Sequence, residues 1–114
     1  MTDVPNKRSA YEPAHLEVAG LIRAVQAAGG FATVIAKGER DAGTLLVVCC
    51  EKGANAAAYE RMPQPDGTRS WTLTRTQDLE NPRDFWEYCD RRRLQDEDLW
   101  VVELDVPKGE RFIV

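Results

Sequence analysis

The chain contains few of the residues on which secreted, redox-active and zinc-binding small domains depend. Its 114 residues include one histidine and three cysteines, and two of these, Cys49 and Cys50, are adjacent. Disulfide scaffolds and structural zinc sites both need a spaced set of such residues, and no Cys-x-x-Cys pair occurs. The cysteine pattern favours a reducing cytoplasm, and we expect no metal or other cofactor.

Long apolar runs and an excess of positive charge are missing as well. No run approaches the roughly 20 apolar residues that cross a bilayer, and Met1–Arg8 lacks the apolar centre of a signal peptide. Fifteen basic and nineteen acidic side chains give a net charge of −4, which disfavours nucleic acid as a partner. We therefore expect a cytoplasmic protein that does not bind membranes.

The composition is that of an ordinary globular domain, with 43% hydrophobic and 30% charged residues. Residues 1–10 are polar, contain Pro5 and show no periodicity. We expect residues 1–10 to form a mobile N-terminal tail and residues 11–114 to form one domain.

Two segments have the apolar spacing and the end signals of α-helices. The first extends from about Pro13 to Ala28 and ends at two glycines. The second is predicted to start with Asn81 as its cap and Pro82 in its first turn. Its last turn contains Arg91–Arg93, whose positive charges suit the negative end of a helix.

Five segments have strand-like patterns, and one of them, Thr44–Glu51, is apolar on both faces. We expect the first four strands to form an antiparallel meander in which Gly38–Gly43 is a hairpin loop. The sequence thus predicts an α+β fold of order α-β-β-β-β-α-β, with a mostly antiparallel sheet and two packed helices. The predicted strands are Phe31–Lys37, Thr44–Glu51, Ala57–Met62, Arg69–Arg75 and Leu99–Val106.

Two motifs within this pattern are distinctive. Gly38-Glu-Arg-Asp-Ala-Gly43 follows the first predicted strand, and Asp96-x-Asp-Leu-Trp-Val-Val-Glu103 leads into the last one. With these motifs, residues 16–113 resemble a family of short proteobacterial proteins classed as a domain of unknown function. The resemblance implies a small cytoplasmic protein and supplies no activity.

The side chains with reactive groups have structural explanations. Neighbouring residues on a strand point to opposite faces, so Cys49 and Cys50 cannot easily share a metal, and we interpret both as small buried hydrophobes. His15 lies near a helix start without a nucleophile motif around it, which is typical of a surface or capping histidine. We assign no catalytic residue, and the sequence favours a non-catalytic protein.

A set of charged side chains forms our candidate binding surface, and three interpretations of it stay open. The first is a protein-interaction module. The second is a single-stranded nucleic-acid contact through Arg91–Arg93 with nearby aromatic rings. The third is a small carboxylate-based hydrolase or metal site. The candidate surface consists of Arg40, Asp41, Arg91, Arg92, Arg93, Asp96 and Asp98.

The apolar run Leu45–Cys50 needs cover on both faces of the sheet. If both helices lie on one face, the open face predicts a homodimer that is joined through the sheet face or an edge strand. One helix on each face would instead suit a monomer. Trp71 and Trp100 lie on the apolar sides of their strands, so we expect both in the core.

Overall fold

A computed structural model of the chain describes residues 12–113, so the predicted tail over residues 1–10 lies outside the described part. Its elements follow the predicted order and confirm the α+β class, with a five-stranded, mostly antiparallel sheet and two helices. In chain order they are α1 (Ala14–Ala27), β1 (Phe31–Ala36), β2 (Leu45–Glu51), β3 (Ala54–Pro63), β4 (Arg69–Thr76), α2 (Pro82–Gln95), β5 (Trp100–Asp105) and a short 3₁₀ helix (Gly109–Phe112).

The sheet has the strand order β1-β5-β2-β3-β4, and this corrects part of the predicted meander. Strands β2, β3 and β4 do form consecutive antiparallel hairpins. Strand β5, however, lies between β1 and β2, antiparallel to the first and parallel to the second. Gly38–Gly43 is therefore a connection past the end of β5 and not a hairpin loop. The apolar start of β5, from Trp100 to Val102, is buried on both faces, and burying it in the middle of the sheet outweighs local pairing of β1 with β2.

Helix α1 covers one face of the sheet, called the α1 face below. Val18, Leu21 and Val25 recur at helical spacing and pack with the side chains of β2 and β5 that point to this face. Gly29, at φ 85°, follows the helix in the left-handed conformation that glycine adopts without strain. The 3₁₀ helix adds cover, since Ile113 after it is buried in the same cluster.

Helix α2 covers the opposite face, called the α2 face below. Phe85 and Cys89 are buried against Leu46, Val48 and Val101, the alternate side chains of β2 and β5. One helix thus lies on each face of the sheet. The open face through which a homodimer was expected to form is therefore covered. Pairing of copies through an edge strand stays a prediction.

The two tryptophans expected in the core differ in burial. Trp100 is buried on the α1 face, as predicted. Trp71 is only partly buried at the margin of the same cluster, because β4 is an edge strand that α1 does not reach over fully. Within residues 12–113, no helix has both the length and the apolar character that crossing a membrane requires.

Candidate binding surface

The two distinctive motifs meet at one end of the sheet. The backbone N–H of Glu39 donates to the carbonyl oxygen of Asp98 at 3.0 Å. A Cβ atom at Gly38 or Gly43 would overlap that same carbonyl oxygen, so only glycine allows the two loops to approach this closely. The motifs are therefore explained first by the packing of loop 38–43 against loop 96–99.

Loop 38–43 also receives the N-terminus of α1. The backbone N–H of His15 donates to the carbonyl oxygen of Arg40 at 2.9 Å, and that of Ala14 donates to Asp41 at 3.1 Å. The His15 ring donates from Nδ1 to the Arg40 carbonyl oxygen at 3.0 Å, so it binds loop 38–43 and does not cap α1. The side chains of Arg40 and Asp41 are 73% and 70% exposed and 4.0 Å apart, so these two residues hold the fold through their backbone atoms.

The Glu39 side chain stabilises loop 38–43 by binding backbone groups of the same loop, a role that the sequence did not indicate. Its carboxylate accepts the backbone N–H groups of Ala42 at 2.7 Å and Asp41 at 3.0 Å. These bonds, that of Ala42 foremost, hold the pKa of Glu39 below its usual 4.5. The Nε1–H of Trp100 donates to the Glu39 carbonyl oxygen at 2.7 Å and ties the loop to the core.

The arginine run at the end of α2 is divided between two environments. Arg92 points to the sheet and makes two bonds to the Glu60 carboxylate, at 2.7 and 3.0 Å, and this hydrogen bonding to Glu60 raises the pKa of Arg92. Arg91 is exposed, and Arg93 lies 3.9 Å from Asp90. The three guanidinium groups therefore do not form one cationic surface.

Glu60, the partner of Arg92, belongs to a polar network on the α2 face that was not predicted from the sequence. The hydroxyl of Tyr88 lies 3.3 Å from Glu60 and 3.1 Å from Thr74. Arg75 stacks over the Tyr88 ring and pairs with Asp84 at 2.9 Å. The sequence signal for this network was Glu60, which shares the buried face of β3 with Ala56 and Ala58.

A groove of about 510 Å³ lies between the end of β1 and the last turn of α2. Two of the predicted surface residues, Arg93 and Asp96, line it, whereas Arg40, Asp41, Arg91, Arg92 and Asp98 do not. Its charges are mixed, so it favours neither anions nor cations. The lining consists of Ala36, Lys37, Asp90, Arg93, Leu94, Asp96, Glu97 and Leu99.

Apolar side chains continue from this groove along β1. Leu94 at the groove is 85% exposed, and Phe31 and Ile35 of β1 are 74% and 40% exposed. Ala32 packs on the α1 face, so Phe31 before it points to the α2 face, whereas a bulge between Val34 and Ala36 interrupts the alternation at Ile35. We call Phe31, Ile35 and Leu94 the apolar strip. None of the three entered the surface predicted from the sequence.

The other two chemistries have little geometric support among residues 12–113. Trp100 is buried on the α1 face, so it does not join the arginines of α2 in a stacking groove. No group of three or more His, Cys, Asp or Glu side chains in this part of the chain is arranged to hold a metal ion. The Asp96 carboxylate instead accepts the backbone N–H of Asp98 at 3.1 Å.

The cysteines occupy opposite faces, as predicted. Cys49 packs in the cluster under α1 and Cys50 in the cluster under α2. Burial raises the pKa of each of these thiols to about 12 and that of Cys89 to about 11. Thiols that stay protonated at neutral pH are poor nucleophiles and poor metal ligands.

Comparisons with known proteins agree with this architecture. A crystal structure of a DUF1491 family protein from Caulobacter crescentus has 31% sequence identity and a TM-score of 0.76, covering 90% of this chain and 94% of that one. An NMR structure of a DUF1491 family protein from the same organism has the same identity and TM-score, with coverage of 91% and 94%.

The solution structure of the protein Atu0922 from A. tumefaciens is also similar. It has 29% identity and a TM-score of 0.73, and covers 90% of this chain and 92% of that one. No functionally curated protein matches the chain. The family model for the protein of unknown function DUF1491 matches residues 13–114. The chain therefore belongs to the DUF1491 family.

Proposed function

We propose that this protein is a cytoplasmic, non-catalytic interaction module that binds a protein partner through the apolar strip and the adjoining groove. The observation that carries the proposal is the exposure of Leu94, at 85%, in a groove that also includes Ala36, the last residue of the strand whose first residue, Phe31, is 74% exposed. Exposed apolar side chains that cluster beside a concave, mixed-charge surface are typical of protein interfaces.

Charged side chains near the groove already bind other groups of the protein, which supports an interaction role over a catalytic one. Arg92 is bound by Glu60, and Glu39 and Asp96 bind backbone N–H groups of their own loops. These groups stabilise the end of the sheet and position the groove. Arg93 and Asp96 would then contribute the polar rim of the interface.

The chain offers a matched pair of leucines for the test. Leu94 lies at the groove and Leu79 lies between β4 and α2, and the two are 85% and 83% exposed. In affinity capture from an extract of the native host, Leu94→Glu should reduce recovery of the partner by about 30-fold, the effect of a hot-spot residue. Leu79→Glu should leave recovery unchanged.

Two results would contradict the proposal. The first is equal recovery with Leu94→Glu and the unaltered chain. The second is recovery that disappears after nuclease treatment and falls steeply with salt, which would favour the nucleic-acid alternative.

A further inference from the structure

Strand β1 is an edge of the sheet, and a bulge between Val34 and Ala36 interrupts its last part. Its sequence, Phe31-Ala-Thr-Val-Ile-Ala36, contains no charge and no proline, and within residues 12–113 no strand pairs with its outer side. The other edge, β4, carries Arg69 and Arg75 among its eight residues. Charged side chains on an edge strand oppose pairing with a second chain, and β1 lacks them.

The side chains of β1 are complementary to a second copy of the same strand. Strand β1 is regular from Phe31 to Val34. In a two-fold antiparallel pair centred on Thr33, Ala32 of each copy lies opposite Val34 of the other, on the α1 face. Thr33 lies opposite itself on the α2 face, and a pair of threonines is a favourable cross-strand combination.

A two-fold axis perpendicular to the sheet keeps the α2 face of both copies on the same side. Thr33, at the centre, is paired with the charged residue Glu103 of β5. Two strands separate Glu103 from its symmetry mate, about 14 Å at ordinary strand spacing. That distance exceeds the Debye length at physiological salt, so repulsion between the two carboxylates is screened.

Helix α1 is compatible with this arrangement. Glu17 reaches across the sheet to Arg61 on β3, so this flank of α1 points to the sheet interior. Ile22 and Ala19 belong to the opposite flank, where Ile22 packs at the margin of the α1-face cluster. Both are only partly buried in one copy, and α1 of a second copy would lie beside them.

We infer that two copies of this chain pair through β1, in antiparallel register with Thr33 on the two-fold axis, to form one continuous ten-stranded sheet. The inference rests on the proposed interaction function and names the partner as a second copy. A single strand pair buries less than the roughly 1,600 Å² of a standard interface. We therefore expect a dissociation constant of about 10–100 µM.

The test uses charge reversal at the axis. In sedimentation from about 1 µM to 1 mM, the full chain should shift from 12.8 kDa towards twice that mass. Thr33→Lys or Thr33→Glu alone places like charges opposite each other and should raise the dissociation constant about tenfold. An equimolar mixture of the two variants should restore the dimer, because opposite charges then meet.

Thr76, an exposed threonine on β4, provides the control, and both Thr76→Lys and Thr76→Glu should dimerise like the unaltered chain. A constant mass of 12.8 kDa at all concentrations would overturn the inference. So would a dimer that is insensitive to Thr33 substitutions, or one that the mixture does not restore. If the mass stays constant while Leu94→Glu still abolishes partner capture, the proposed function stands and the second copy is not the partner.

Discussion

Glu60 and Arg61 are neighbours on β3 whose side chains point to opposite faces of the sheet, and each binds a different helix. Arg61 makes two bonds to Glu17 of α1, at 2.8 and 2.7 Å. Glu60 accepts two bonds from Arg92 of α2. A single dipeptide thus fixes both helices to β3, outside the apolar clusters that hold them to the centre of the sheet.

Removing one charge of the α2 pair should destabilise the protein, since Glu60 is buried and Arg92 is largely shielded from water. We expect Glu60→Gln to lower the free energy of unfolding by about 2–3 kcal/mol, because it leaves the guanidinium without its counter-charge. Urea denaturation measures this loss. Glu87→Gln, at an exposed position of α2, should change stability by less than about 0.5 kcal/mol. Equal effects at the two positions would show that the pair contributes nothing.

Local patterns predicted the elements well because their causes are local. The α2 helix begins at Pro82 with Asn81 at the N-cap position, as predicted, although the Asn81 side chain makes no capping hydrogen bond. The doubly apolar β2 is covered on both faces. The position of β5 depended on burial against a strand about 55 residues earlier, which no turn signal reveals. The glycines and charges of loop 38–43 resemble those of a hairpin. The sequence therefore predicted that β1 pairs with β2 and not that β5 lies between them.

The candidate surface was predicted less well, for a related reason. The sequence grouped Arg91–Arg93 as one contact surface because the three residues are adjacent. Arg92 instead found its partner on β3, where Glu60 was already fixed beside it. The groove forms where the end of β1 meets the end of α2, so it brings Arg93 and Asp96 of the candidate surface together with Leu94, which the sequence did not single out.

The two tryptophans should differ in their contribution to stability. Trp100 is 5% exposed and donates to Glu39, so Trp100→Ala should cost about 3–5 kcal/mol. Trp71 is only partly buried, with the Arg61 guanidinium 4.9 Å from its ring centre, so Trp71→Ala should cost about half as much. Thermal unfolding followed by circular dichroism would rank them. A larger loss for Trp71→Ala would contradict the burial argument.

The thiols should be unreactive in the folded protein. Burial raises the pKa of Cys49 and Cys50 from 9.0 to about 12, so both stay protonated where unfolded thiols ionise. Because the unfolded chain releases these protons first, stability should fall as the pH rises from about 9 towards 12. At about pH 8, labelling by a disulfide reagent should follow the rate of unfolding. A Thr76→Cys variant supplies an exposed thiol that labels at once, and equally fast labelling of the native cysteines would contradict the prediction.

Two glycines should respond to alanine in opposite directions. A Cβ atom at Gly38 would overlap the carbonyl oxygen of Asp98, so Gly38→Ala must separate the two loops and should cost about 1–3 kcal/mol. Gly20 lies inside α1 with its nearest neighbouring atom 3.9 Å from the added Cβ. Gly20→Ala should therefore stabilise the protein by about 0.5–1 kcal/mol through helix propensity. Chemical denaturation of both variants checks the signs, and a stable Gly38→Ala protein would show that the loops need not touch.

The pH dependence of loop 38–43 should follow Glu39. Its pKa lies below the usual 4.5 because the ionised carboxylate accepts the backbone N–H groups of Ala42 and Asp41. A carboxylate with a lowered pKa stabilises the folded state above its unfolded pKa, and this stabilisation is lost as the pH falls through the folded pKa. The amide resonances of Asp41 and Ala42 should therefore titrate together in acid. Glu39→Gln should abolish this titration and weaken the protein at neutral pH, while the variant and the unaltered chain converge once the pH falls below the folded pKa of Glu39. Glu80→Gln, at an exposed site, should keep the titration of the two amides. If Glu80→Gln abolished it as well, the titration would reflect general destabilisation by acid and not Glu39.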